Sequence, residues 1–230
     1  MKLTRRVADE LAGRIVDAAI ESGIVPAANP EPPDWARFAA FRHHVEEAFT
    51  VPETSITPLL ARVLYGIAHA ARPRRVLGIG TYAGNGVVWL LGPGFGDNGT
   101  YLADAAAALD VDGDATELAR SNFARLGTLP AVDCLTLDGH RAAAELGRGW
   151  DAVWLDAEDP DAGKAVYLTL LDALRPALAP GCLLLAHDVC VPKFREQLAP
   201  YLAAVRRPEE FAGSVSLELD ECGLEVSRLR

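Results

Sequence analysis

The sequence predicts an α/β fold, a doubly wound seven-stranded mostly parallel sheet with an antiparallel C-terminal hairpin and an N-terminal helical extension. Three observations lead there. From Arg75 onward, short apolar runs alternate with helical stretches, which is how a parallel sheet wrapped by helices reads. Two of those runs, Ala152–Leu155 and Cys182–Ala186, lack polar alternation, as strands covered on both faces do. The last two, Val215–Leu219 and Leu224–Leu229, alternate apolar with polar residues around Asp220-Glu221-Cys222-Gly223, the pattern of a closing hairpin.

Taken in order, Leu3, Val7, Leu11, Ile15 and Ala19 recur every fourth residue with charged residues between them, an amphipathic helix that ends near Gly23. Its apolar stripe needs a partner, either its own domain or a second subunit, and a homo-oligomer, a dimer, is expected. Pro26 to Pro33 is a Pro-rich connector. A second helix, Trp35–Phe49, places Trp35, Phe38, Phe41 and Val45 on one face. That stripe reads as the core face of the helix or as a lid whose aromatic residues meet a planar substrate, and the core reading is favoured. Residues 1–56 are thus a helical extension, and 57–230 the main domain, which opens with a helix over Pro58–Ala71. Further strands are expected at Val76–Ile79, Ala105–Leu109 and Asp133–Leu137, with helices over Ala115–Arg125 and Pro192–Val205.

Of the 230 residues, 50% are hydrophobic and 23% charged, enough apolar material for one core and too much for bulk disorder. A net charge of −10 repels phosphate backbones and anionic headgroups, so a small molecule is the expected partner, not nucleic acid or a membrane. No apolar run approaches the ~20 residues of a spanning helix. Asp9 and Glu10 fall where a signal peptide needs its apolar stretch, so a cytoplasmic location is expected. The four cysteines, Cys134, Cys182, Cys190 and Cys222, form no C-x-x-C pair and read as buried free thiols.

The residues that can carry chemistry fall at strand ends. Gly78-Ile79-Gly80-Thr81-Tyr82-Ala83-Gly84-Asn85-Gly86 follows a strand and opens a helix, where backbone N–H groups can approach a ligand closely. It also fits a dinucleotide loop, or a tight turn that binds nothing. Asp110 closes the next strand, placed either to accept hydrogen bonds from a ribose diol or to cap the following helix. Asp156 and His187-Asp188 end two central strands. Two carboxylates and an imidazole at one sheet edge can hold a divalent cation, with Mn, Fe or Zn suited besides Mg, or else bond locally. His140, in the loop after the third strand, edges a planar ring or is solvated. His43-His44 is weak, because adjacent helical residues point about 100° apart.

Together these segments resemble the class I S-adenosylmethionine-dependent methyltransferases, most closely the catechol-type small-molecule O-methyltransferases, over about Thr57 to Arg230. Arg75-Val76-Leu77-Gly78-Ile79-Gly80-Thr81-Tyr82-Ala83-Gly84 is similar to the first motif of that family. Asp110-Val111-Asp112 through Ala119-Arg120-Ser121-Asn122 is similar to its second. Trp150 through Ala157 resembles the fourth-strand motif, Leu174 through Asp188 the segment after it, and Asp220 to Leu229 the final hairpin. The resemblance implies S-adenosylmethionine as cofactor. Gly78, Gly80, Thr81, Tyr82 and Gly84 would surround its methionine end, Asn85 or backbone amides its carboxylate, Asp110 and Val111 the ribose, and His140-Arg141 the adenine. Asp156 would border the same site and, with His187 and Asp188, hold Mg or another divalent metal. In catechol-type members such a cation grips two substrate oxygens and favours the oxyanion that attacks the methyl group in line.

Three departures from the family pattern stand out, at the glycine turn, at the residue pair ending the fifth strand and in the loop after the fourth. Gly78 stands where an acid usually holds the cofactor's amino group, and Gly86 where a hydroxyl often binds its carboxylate. The usual Asp-Asn pair is His187-Asp188, which leaves His187 open to act as general base without metal. The lysine expected three residues after Asp156 is Asp159, with Lys164 able to fill that role after a short insertion. The implied activity is methyl transfer to a hydroxyl of a small aromatic or polyketide-like product of secondary metabolism, with Trp35, Phe38 and Phe41 as apolar substrate contacts. The alternatives are a regulatory binding protein without catalysis on the same fold, or a cyclase or dehydratase that uses the sulfonium only as a fixed charge. An NAD-dependent oxidoreductase is a more distant one.

Overall fold

A computed structural model describes residues 4–53, 56–94, 99–127 and 131–230. Three helices lead, α1 (Arg5–Glu21), α2 (Trp35–Ala48) and α3 (Pro58–Ala71). The sheet region follows as β1 (Arg75–Ile79), α4 (Val87–Leu91), β2 (Ala105–Asp110), α5 (Gly113–Leu126), β3 (Val132–Thr136), α6 (Ala142–Glu145) and β4 (Trp150–Leu155). It continues through α7 (Val166–Leu174), β5 (Leu178–His187), α8 (Arg195–Val205), β6 (Phe211–Leu217) and β7 (Leu224–Leu229). The strands form one seven-stranded sheet in the order β3-β2-β1-β4-β5-β7-β6, with β7 antiparallel to both neighbours and the other pairings parallel. The order reverses between β1 and β4, and open α/β sheets bind ligands in the crevice that this reversal creates.

Side chains alternate across the central strands, so the sheet builds two cores. Ala106, Ala108, Ala152, Trp154, Leu183 and Leu185 face the layer of α1 to α5, while Ala107, Leu109, Val153, Leu155, Leu184 and Ala186 face α7 and α8. Strands buried on both faces explain the apolar runs at β4 and β5. The fold class matches the expectation from sequence, and most boundaries shift by a residue or two, as fraying ends do. Three shifts are larger, the first being α8, which begins at Arg195 after a tighter turn over Pro192–Phe194. β5 begins at Leu178, because it pairs with Trp150 before a register shift, and β6 is displaced towards the amino end, to Phe211–Leu217.

The amino-terminal helices belong to the first core. α1 buries Ala8, Ala12, Val16 and Ala19 and packs on α3, with Arg62 of α3 donating to Asp9 at 2.6 Å. Of the expected stripe, Leu3 lies outside the described residues, Val7 is exposed and Leu11 and Ile15 are half-buried, because the face turned to α3 is offset by one residue until Ala19. On α2, Phe38, Phe41 and Val45 are buried, and Phe38 stacks edge-on against Tyr65 with ring centroids 5.1 Å apart. The core reading of that stripe therefore holds, although Phe38 also borders a cavity of about 900 Å³ between α1, α2, the start of α3 and Leu219-Asp220. The helix starts are chemically marked. Asp34 caps α2, Thr57 caps α3 ahead of Pro58, and Asp112, not Asp110, caps α5. No described helix is long and apolar enough to cross a membrane.

Candidate functional site

The turn after β1 is tied to the end of β2. The backbone N–H groups of Gly80 and Thr81 both donate to the Leu109 carbonyl, at 2.9 and 3.1 Å. Gly80 has φ +71°, and a Cβ there would lie 2.5 Å from the backbone of Ala157 after β4, so only glycine lets the two strand ends approach. Tyr82 also takes a left-handed conformation, φ 47°. Its N–H donates to Asp110 Oδ2 at 2.8 Å, while Asp110 Oδ1 accepts from the Asp112 N–H at 3.0 Å. Asp110 is thereby fixed at the mouth of a cleft of about 300 Å³ at the carboxyl ends of β1, β2 and β4.

Ile79, Leu109, Leu137 and Leu170 give this cleft apolar walls, and Asp110, Asp138, His140 and Asp156 supply polar groups. Gly80, Tyr82, Val111 and Asp159 line it as well. His140 is held at both ring nitrogens, Nδ1 with Asp138 Oδ1 at 2.7 Å and Nε2 with Thr169 Oγ1 at 2.8 Å. Other expected residues fall outside the lining. Arg141 turns to Glu145, 2.5 Å away, because the two sit one helical turn apart. Thr81 is buried beneath the turn, and Gly84 packs against Phe123. Asn85 lines a separate cavity of about 330 Å³ with Phe49 and Trp89.

Where the family's anchors for the amino-acid tail would stand, the chain is packed. A Cβ on Gly78 would collide with Val87 and come within 2.6 Å of the Thr81 methyl, and one on Gly86 would meet the Trp154 ring at 2.6 Å. Neither position has room for a side chain.

At the ends of β4 and β5 the structure brings together Asp156, Lys164, His187 and Asp188. One ligand atom each from Asp156, His187 and Asp188 lie within 4.8 Å of one another. The Lys164 ammonium sits between the carboxylates, 2.9 Å from Asp156 Oδ1 and 2.9 Å from Asp188 Oδ2. His187 Nδ1 is 3.3 Å from Asp156 Oδ2 and 3.4 Å from Asp188 Oδ1. The loop explains how Lys164 arrives. Asp159 and Gly163 form a closed backbone bridge, and Asp159 accepts from the N–H groups of Asp161 and Ala162 at 2.9 and 2.7 Å. Those donors hold its carboxyl below the usual range, and they give Asp159 the work of shaping the turn. Lys164, and not Asp159, is thus the residue of this loop that reaches Asp156 and Asp188.

Charge follows geometry. Burial pulls the Lys164 ammonium down, but Asp156 and Asp188 outweigh it and raise its pKa. Burial likewise opposes the His187 imidazolium, and the hydrogen bond to Asp156 with the charges of Asp156 and Asp188 raises it above 6.5. For Asp188, burial acts upward and is outweighed by Lys164 and His187, which leave its carboxyl below its ordinary value. Asp156 and Asp188 keep partial exposure, whereas His187 and Lys164 are buried behind them.

Sequence reasoning overlooked several supporting groups. The Tyr167 hydroxyl donates to the Leu155 and His187 carbonyls at 3.1 and 3.2 Å and lies 3.2 Å from Lys164 Nζ. The Trp154 ring lies 5.3 Å from the His187 ring. Gln197 Oε1 accepts from the Lys164 N–H at 2.8 Å. The spacing of Tyr167 three residues after Lys164 was the one available signal, and it needed the helix register to be read. His187 Nε2 is buried without a partner among the described residues, and a ring nitrogen of His187 lies within 4.8 Å of Asp220 and Cys222. His43 is exposed and faces Glu47 at 3.4 Å.

Solved structures share this architecture at low identity. An O-methyltransferase from Bacillus cereus, in complex with S-adenosylhomocysteine, is 15% identical, with 96% of this chain and 100% of that one covered at a TM-score of 0.61. A methyltransferase from Podospora anserina bound to the same molecule is 15% identical, with 96% of each chain covered at a TM-score of 0.60. The O-methyltransferase TomG from Streptomyces achromogenes, involved in tomaymycin synthesis and in complex with S-adenosylmethionine, is 20% identical, with 86% and 90% covered at 0.59. No protein-family model and no curated protein matches the chain. The likeness establishes the class I methyltransferase fold.

Proposed function

We propose that this chain is an S-adenosylmethionine-dependent methyltransferase that acts on a hydroxyl of a small aromatic or polyketide-like metabolite. The observation that carries the reading is Asp110, pinned by the Tyr82 and Asp112 N–H groups at the mouth of an apolar-walled cleft beside the sheet's switch point. The cleft fits an adenosyl group: apolar walls take the base, His140 edges it, and Asp110 accepts from the ribose hydroxyls. When bound, S-adenosylmethionine supplies an electrophilic methyl group.

The protein's own part is positioning and proton transfer. The Gly80 turn lies close against the end of β4, and with Asp156 it would line the side of the cleft that holds the cofactor. His187 takes the acceptor's proton at Nε2, the ring atom without a partner. Asp156 and Asp188, both on Nδ1, stabilise the imidazolium that forms. A ring nitrogen of His187 also lies within 4.8 Å of Asp220 and Cys222, so the acceptor approaches His187 beside the turn that opens β7. A divalent ion does not fit the donor set as it stands, since Lys164 fills the space between its two carboxylates. The mechanism accordingly uses none.

Release of S-adenosylhomocysteine from S-adenosylmethionine and a panel of phenolic acceptors tests the activity. His187→Gln is expected to lower turnover by about 10²-fold or more while S-adenosylhomocysteine affinity stays within about twofold. A variant as active as the parent contradicts the assignment. The packed Gly78 and Gly86 positions favour a second reading, a binding protein or non-methylating enzyme on this fold. Cofactor binding with no S-adenosylhomocysteine product under any acceptor would select it.

A further inference from the structure

We propose that Lys164 is a resident cation standing where a divalent ion would bridge Asp156 and Asp188, so that this chain binds no Mg or Mn at that site. The inference concerns the site itself and does not depend on methyl transfer.

An ammonium has three donors, and here each has an acceptor: Asp156 Oδ1 at 2.9 Å, Asp188 Oδ2 at 2.9 Å and the Tyr167 hydroxyl oxygen at 3.2 Å. The rings of Tyr167 and Phe194 lie 5.3 and 5.6 Å from Nζ and complete a cage suited to a cation. Lys164 is buried, 2% exposed, so its charge is poorly screened, and a divalent ion among the same oxygens would face strong repulsion. Withdrawing the lysine is costly as well. Its backbone is fixed by the N–H donated to Gln197 at 2.8 Å and by the turn at Gly163, where a Cβ would lie 2.5 Å from Gln197 Oε1. The Asp159–Gly163 bridge therefore delivers one cation, covalently attached, to the place where two carboxylates meet.

Equilibrium titration of the full chain with Mn²⁺, followed by the electron paramagnetic resonance signal of the free ion, tests this. The parent chain is expected to leave the signal undiminished, and its melting temperature to be the same in chelator and in excess Mn²⁺. Lys164→Met removes the charge and keeps the length, and is expected to tighten Mn²⁺ binding by about a hundredfold, with the gain lost again when Asp188→Asn is added. Stoichiometric Mn²⁺ binding by the parent chain overturns the proposal, as does a folded Lys164→Met or Lys164→Gln chain that binds none. If both variants fail to fold, the parent titration and the melting comparison still decide. Neither readout involves S-adenosylmethionine, so failure here is distinct from failure of the methyltransferase reading.

Discussion

Asp110 and Gly80 do different work within a few ångströms, and single substitutions separate them. Asp110→Ala removes the acceptor at the cleft mouth and is expected to weaken S-adenosylhomocysteine binding by about 10- to 100-fold in calorimetry. Gly80→Ala forces a Cβ towards Ala157 at φ +71°, and is expected to destabilise the chain by ~1–3 kcal/mol in urea unfolding as well as to spoil the cleft. His187 carries a pH signature. Its pKa is raised above 6.5 in the fold, so the stability it contributes is fully present below that value and fades as pH rises through the folded one. The loss on His187→Gln should be larger near pH ~6 than near pH ~9, and an equal loss at both would show that the imidazolium is not stabilised. Asp110, Asp156, His187 and Asp188 could be found from sequence because each ends a strand. Lys164 was findable only as the substitute for a missing lysine, and its position between two carboxylates depends on a bridged turn that no periodicity reveals.

Elements explain why the site stays in register. β1 and β4 are parallel neighbours, and the Asp156 N–H donates to the Ile79 carbonyl at 2.9 Å, so the cleft floor is an extension of the sheet ladder. Helix α2 illustrates what an aromatic stripe leaves open. Spacing places Phe38 and Phe41 on one face but cannot say whether that face meets ligand or protein, and here Tyr65 and Trp89 cover both. Phe38→Ala is expected to cost ~3–5 kcal/mol in chemical denaturation. A substitution that left stability intact and reduced only acceptor binding would restore the lid reading. The terminal hairpin carries a buried acid that alternation alone does not explain. Glu225 on β7 is fully buried and accepts from Ser214 at 2.6 Å, from Ser216, and from Arg206 at 3.0 Å through each carboxylate oxygen. Because Arg206 is half exposed, most of the effect belongs to the buried carboxylate and its serines, and Glu225→Ala is expected to destabilise by ~2–4 kcal/mol.

Across the whole molecule, the mostly parallel sheet and its antiparallel hairpin were legible because alternation switches from continuous apolar runs to polar-apolar pairs after α8, whereas the strand order comes from the pairing itself. The amino-terminal helices were legible as helices, while their inclusion in the first core follows from packing of α1 on α3 that a single stripe leaves open. The molecule thus joins a cleft of about 300 Å³ at its switch point to a carboxylate pair bridged by its own lysine. Calorimetric titration of the full chain with S-adenosylhomocysteine, in chelator and again in excess Mn²⁺, tests that account most directly. It predicts saturable one-site binding of equal affinity in both conditions and lost in Asp110→Ala. Absence of binding in both conditions, or binding that survives unchanged in Asp110→Ala, would contradict it.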